Sequence, residues 1–176
     1  MQDPIQLKQT FPIRSRPDVL FRLVGDPKKR IRWDKSLRQY RYDGEEKLQV
    51  GSRVKGVLQW KYGGMAFQAK FTHLQGPNRA TLESVKPFGL IEKMTQQWAF
   101  KPMPGGAEVT FTFTVVPRYK FVRRAIERLV QNLFAETLLE LQRAVDSNMA
   151  DAMQEAAQDI AKKQREERKK KKKKTS

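Results

Sequence analysis

The sequence predicts an α+β fold. It has an antiparallel sheet of about six or seven strands, two short helices after the first strand, and one long C-terminal helix covering the sheet's dry face. Three observations carry this. Between Val54 and Val115 apolar residues recur at period two, interrupted by turn signals. Proline-led helix starts follow the first alternating stretch. From Phe121 the apolar period becomes helical, and neither proline nor glycine occurs after Arg118.

Taken in order, Pro4 to Ile13 alternates, with Ile5, Leu7, Phe11 and Ile13 on one parity and Gln6, Lys8 and Thr10 on the other. That is the pattern of a half-buried strand. Ser15-Arg16-Pro17-Asp18 opens a helix that carries Val19, Leu20, Leu23 and Val24. Gly25-Asp26-Pro27 ends it and starts a second short helix running through Trp33 towards Leu37. Val54, Gly56, Leu58 and Trp60 then share a parity, followed by the turn Gly63-Gly64. Phe67, Ala69 and Phe71 precede Gly76-Pro77-Asn78, and Ala80, Leu82 and Ser84 precede Pro87-Phe88-Gly89. Met94, Gln96, Trp98 and Phe100 lead to the turn at 102–106, and Val109, Phe111, Phe113 and Val115 close the series. Consecutive hairpins make the sheet antiparallel, and its apolar face needs a cover. Ile126, Leu129, Val130, Leu133, Phe134, Leu138, Leu141 and Val145 supply it. A helix from Phe121 to Val145 spans about 38 Å, against roughly 33 Å for a ten-residue strand. Residues beyond about Asn148 therefore overhang. The expected division is a domain over 1–147 and, over 148–176, a helical extension with a disordered polybasic tail.

Composition narrows the function. The chain has 176 residues, 39% of them hydrophobic, enough for a packed core and too many for a wholly disordered chain. No apolar run approaches the ~20 residues of a spanning helix. There is no cysteine, which excludes disulfides, iron–sulfur clusters, thiolate zinc sites and cysteine nucleophiles. Met1 to Ile13 lacks an apolar leader, so the expected compartment is the cytoplasm, with peripheral membrane contact as an option.

The formal net charge is +17. Residues 162–176 carry ten cations and two anions, +8 in all, leaving 26 cations and 17 anions, +9, for residues 1–161. The run Lys169, Lys170, Lys171, Lys172, Lys173 and Lys174 would contact any anionic surface. On an anionic bilayer each such cation contributes up to ~1 kcal/mol, whereas on RNA it would displace counterions and make binding salt-dependent. The segment has no aromatic side chain to stack on bases. Membrane, RNA or ribosome remain alternative partners.

The ordered series Pro17-Asp18-Val19-Leu20-Phe21-Arg22-Leu23-Val24-Gly25-Asp26-Pro27, Arg32-Trp33-Asp34, Gly51-Ser52-Arg53-Val54, Trp98 with Phe100, and Glu108-Val109-Thr110-Phe111-Thr112 resembles the START-like (SRPBCC) superfamily. That superfamily holds polyketide cyclase/dehydrase, lipid-transport and coenzyme Q-binding proteins, and the resemblance covers about residues 3–147. It implies a helix-grip fold, a curved sheet wrapped around the long C-terminal helix with an apolar cavity between them. A shared fold does not name a ligand or a reaction.

The inward parity places Leu58, Trp60, Phe67, Phe71, Leu82, Ser84, Met94, Gln96, Trp98, Phe111 and Phe113 as candidate ligand-binding residues. Each is equally readable as packed core. Tyr62 and His73 are further inward polar candidates near strand ends. A lone histidine without clustered carboxylates makes neither a metal site nor a triad. Glu83 and Glu108 have outward parity, so no inward carboxylate pair exists for acid–base work. The glycine pairs lie in hairpins, not between a strand and a helix, so no nucleotide loop is expected. No catalytic residue, metal or cofactor is assigned. The expected function is non-enzymatic binding or transport of a hydrophobic small molecule (lipid, quinone or polyketide-like). The alternatives are an aromatase/cyclase-type enzyme and a ribosome- or RNA-associated regulator.

Overall fold

A computed structural model describes residues 2–174, with side chains to residue 170. The side chains of Lys171, Lys172, Lys173 and Lys174 therefore lie outside the described residues. The elements are β1 (Ile5–Ile13), α1 (Pro17–Gly25), α2 (Pro27–Trp33), β2 (Leu37–Tyr42), β3 (Arg53–Leu58), β4 (Ala66–Gln75), β5 (Arg79–Ser84), β6 (Ile91–Met103), β7 (Gly106–Pro117) and α3 (Arg123–Lys174). Short 3-10 turns lie at Trp60–Tyr62 and Lys120–Val122. The strands form one seven-stranded antiparallel sheet in the order β1-β7-β6-β5-β4-β3-β2. The chain divides into two compact units, Met1–Gln142 and Arg143–Ser176.

The helix starts behave as proline chemistry requires. Pro17 and Pro27 occupy first-turn positions, where no N–H is needed. Asp26 ends α1 through its backbone N–H to Arg22 O, and its side chain caps α2 by accepting from Lys28 N at 3.0 Å. The second helix stops at Trp33 rather than continuing to Leu37, because Leu37–Tyr42 forms the strand β2. That strand escapes the sequence pattern. Only Leu37 and Tyr40 are buried along it, and a register shift between Leu37 and Gln39 breaks its alternation.

Close packing uses glycine at two places. A Cβ on Gly106 would overlap the Ile13 backbone oxygen, so glycine lets β1 and β7 approach. A Cβ on Gly56 would overlap the Phe67 ring, which therefore rests on bare backbone. Within the first unit, α3 buries Ile126, Val130, Leu133, Thr137 and Leu141. The Phe134 ring of α3 stacks on Phe111 of the sheet, centroids 5.0 Å apart.

The second unit is helical as far as Lys174, and every described side chain from Asp146 to Lys170 is exposed. Alanine, glutamate, lysine and arginine favour helix, and no proline or glycine breaks it.

Candidate functional site

The inner face of the sheet gathers most of the expected set. Leu58, Phe67, Phe71, Leu82, Met94, Gln96, Trp98, Phe111 and Phe113 are all buried, none more than 6% exposed. Cross-strand register explains their grouping, since Gln96 faces Phe113, and Trp98 faces Phe111, on neighbouring β6 and β7. The Trp98 and Phe111 rings stack with centroids 3.9 Å apart, and Phe113 adds a ring 5.9 Å further along. Tyr40, Phe67 and Phe88 form a second aromatic row, with centroid spacings of 6.3 and 5.7 Å.

Three expected members behave differently. Trp60 is 71% exposed, because β3 ends at Leu58 and the following 3-10 turn breaks the alternation on which its inward placement rested. His73 is also exposed; a bulge between Phe71 and His73 shifts the parity, and His73 lines a cleft with Thr72, Thr81 and Gln97 on the outer face. Ser84 is half-buried, and its hydroxyl accepts from Met94 N at 2.9 Å, so its polar atom serves the sheet.

Tyr62 is buried and donates its hydroxyl to Glu136 of α3, while Lys61 Nζ lies 2.6 Å from the other Glu136 oxygen. Burial pushes the Tyr62 phenol above its usual range, and the hydrogen bond to Glu136 adds to this. Burial alone would raise the Glu136 carboxyl, but hydrogen bonds from Lys61 and Tyr62 outweigh it and hold the group below 4.5. This trio fastens the β3–β4 connection to α3.

A buried charged cluster completes the interior. Arg30 Nε donates to Asp34 Oδ2 at 3.0 Å, one helical turn apart, and both side chains are nearly inaccessible. Asp34 Oδ1 also accepts from the Ser36 amide at 3.1 Å and the Ser36 hydroxyl at 2.5 Å, so this carboxylate is fully engaged. The Arg30 guanidinium lies among three rings, 5.5 Å from the Tyr40 centroid and 5.9 Å from those of Trp33 and Trp98. Trp33 itself packs at the end of α2, donating its indole N–H to Leu23 O at 2.8 Å. Burial pushes the Tyr40 phenol up to about 12 against the opposing pull of Arg30, so at neutral pH it is a neutral donor. The sequence carried one signal for this cluster, an Arg and an Asp four residues apart at the end of a short helix. Tyr40 had none, because its strand was not legible.

Tyr40 Oη, Gln96 Oε1 and Trp98 Nε1 are buried on this face without a hydrogen-bond partner. Gln96 reaches only Met94 Sδ, at 3.9 Å. A buried polar atom left unpaired costs roughly 1–3 kcal/mol, so one apolar face bearing several is chemically unusual. Together they offer two donors and one acceptor to a bound molecule. Among the described residues no group of three or more His, Asp or Glu is placed to hold a metal. A separate cleft of about 630 Å³ lies between α1, α2 and the β2–β3 loop, lined by Phe21, Arg22, Asp26, Lys28, Tyr42 and Glu46 among others. It carries charges of both signs, with Lys28 and Glu46 paired across it.

A seven-stranded curved antiparallel sheet, two short helices after its first strand and a long C-terminal helix define a helix-grip protein. Residues 4–146 match the family described as polyketide cyclase / dehydrase and lipid transport, and the chain belongs to that family. Among solved structures it is similar to the Zhui aromatase/cyclase from Streptomyces sp. R1128, at 10% identity over 84% of this chain and 96% of that one, with a TM-score of 0.74. It is also similar to a protein from Thermus thermophilus, at 17% identity over 82% and 99% of the two chains, TM-score 0.69. A START superfamily protein from Mycobacterium smegmatis is 9% identical over 81% and 97%, TM-score 0.68. At these identities the likeness is one of fold. No curated protein matches in sequence.

Proposed function

We propose that the protein binds and carries a hydrophobic small molecule bearing oxygen functions, of lipid, quinone or polyketide-like type, on the inner face of the sheet. The observation that carries this reading is the set of unpartnered polar atoms, Tyr40 Oη, Gln96 Oε1 and Trp98 Nε1, on an otherwise apolar aromatic surface. A ligand carbonyl or ether oxygen would take the two N–H and O–H donors, and a ligand hydroxyl would satisfy Gln96. The rings of Trp98, Phe111 and Phe67 would hold its apolar body. The cations of 162–174 would keep the carrier near an anionic surface in the cytoplasm.

Gentle-ionisation mass spectrometry of the purified protein tests this. An added mass of an apolar molecule is expected, with retention reduced in Gln96→Leu and Tyr40→Phe. A bare protein mass, together with no uptake of a naphthoquinone probe, would remove the reading.

One observation favours a second, enzymatic reading of cyclase type. Arg30 and the neutral Tyr40 phenol lie side by side in the interior and could together polarise a carbonyl oxygen. Turnover of a poly-β-ketone abolished in Tyr40→Phe, with folding intact, would select it over carriage.

A further inference from the structure

The antiparallel order brings the β3–β4, β5–β6 and β7–α3 connections to one end of the sheet. Contacts run along that end without a gap. Trp60 packs over Gly64, Met65 packs on Gly89, Leu90 O accepts from Arg118 N at 2.9 Å, and Tyr119 stacks on Phe121 at 5.5 Å. Large apolar side chains face water along this rim. Phe121 is 85% exposed, Trp60 71%, Tyr119 43% and Leu90 42%. Rings as exposed as Phe121 and Trp60 contribute little to the core.

At the β7–α3 connection the rim is cationic, its nearby acids being Glu92 on β6 and Glu136 beside Lys61. No acid occurs from Val109 to Ile126, a stretch that holds Arg118, Lys120, Arg123 and Arg124. Arg118 has a loose pair in Glu92 at 3.9 Å, and Arg123 donates to the Asp3 backbone oxygen. Lys120 and Arg124 make no ion pair among the described residues. Arg38 stacks over Trp60 at 4.1 Å, adding a cation beside the most accessible indole. Interleaved aromatic rings and unpaired cations on loop tips match the chemistry of a bilayer interface, where rings enter the headgroup layer and cations meet anionic phosphates.

We infer that this rim docks on an anionic lipid bilayer, with Phe121, Tyr119, Leu90 and Trp60 inserting and Lys120 and Arg124 contacting headgroups. The surface is distinct from the polybasic 162–174 segment and does not depend on the ligand proposed for the interior. It sets the protein's orientation on a membrane, which a string of lysines alone cannot do.

The tryptophans supply the test. Trp33 and Trp98 are 6% and 3% exposed, so a quencher placed in the bilayer reaches only Trp60. The full-length protein is mixed with vesicles of brominated phosphatidylcholine containing about one third phosphatidylserine. Trp60 fluorescence is expected to fall on these vesicles and to stay unchanged on phosphatidylcholine alone. Phe121→Ser should weaken the partitioning about tenfold. Lys120→Glu with Arg124→Glu should abolish the quenching of Trp60 on these vesicles while circular dichroism stays constant. In Trp60→Phe the quenching should vanish. Vesicle capture with Trp60 unquenched would mean that only the lysine segment binds, and the proposal would fail. It would equally fail if an RNA oligonucleotide, rather than vesicles, shielded Trp60 from a soluble quencher. The assay contains no interior ligand, so an empty interior would leave its outcome unchanged.

Discussion

The two faces of one sheet handle their polar groups in opposite ways. On the outer face, Thr72 Oγ1 excepted, they meet each other or lie open to solvent: Thr10 with Thr110 at 3.0 Å, Gln6 with Thr114 at 3.3 Å, Lys55 with Asp43 at 3.1 Å, Lys93 with Glu83 at 3.7 Å. On the inner face Gln96 and Trp98 each bury a polar atom without a hydrogen-bond partner, and the buried Tyr40 hydroxyl has only the Arg30 guanidinium beside it, next to a charged pair that is fully enclosed. Water forgives an imperfect pair outside, whereas inside every unmade bond counts. Inward polar groups that do not serve folding are therefore candidates for serving a ligand, and substitutions on each face put that contrast at risk.

The heaviest loss is expected at the enclosed pair. Asp34→Ala leaves the Arg30 charge buried without its partner and should cost about 3–5 kcal/mol, read by chemical denaturation. A loss below ~1 kcal/mol would show that water reaches Arg30 and that the interior is not dry.

The latch at Glu136 comes next. Glu136→Ala should cost roughly 1.5–3 kcal/mol at pH 7, since it removes hydrogen bonds to a charged group from Lys61 and Tyr62. The folded protein holds this carboxyl below its ordinary 4.5, so the contribution is present above that value and is lost as pH falls through the depressed folded value. Wild type and variant should therefore converge in stability in acid. A gap that persisted unchanged there would contradict the assignment.

A smaller effect of opposite sign separates ligand groups from folding groups. Gln96→Leu removes an unpaired acceptor and keeps the volume, so the ligand-free protein should be unchanged or up to ~1 kcal/mol more stable, while ligand retention falls. Destabilisation by Gln96→Leu would mean that the amide has a structural partner after all. The slightest change belongs to the outer face. Lys93→Ala breaks an exposed pair and should move stability by less than about 0.5 kcal/mol in a thermal melt.

Legibility in the sequence followed periodicity. Strands β3 to β7 and the inner residues Phe67, Phe71, Leu82, Met94, Trp98, Phe111 and Phe113 follow from alternation, because each strand buries one face and wets the other. Where the backbone leaves regular geometry, alternation misleads. The 3-10 turn turned Trp60 outward, the bulge before His73 turned that ring outward, and irregular β2 hid Tyr40. The burial of Arg30 was not legible for another reason, since an Arg–Asp pair on a short helix is normally solvated and it is three rings and Asp34 that enclose it here.

Apart from β2, strand and helix order, the apolar side of the sheet and the family are written in the chain itself. They rest on local patterns of period two and period 3.6, and on an ordered series of short segments. Folding in three dimensions settled the rest: which polar atoms lack partners, which arginine is enclosed and which aromatic rings share an exposed rim. Those properties depend on distances between residues far apart in the chain, such as Arg30 and Trp98 or Trp60 and Phe121, and no local pattern encodes such distances.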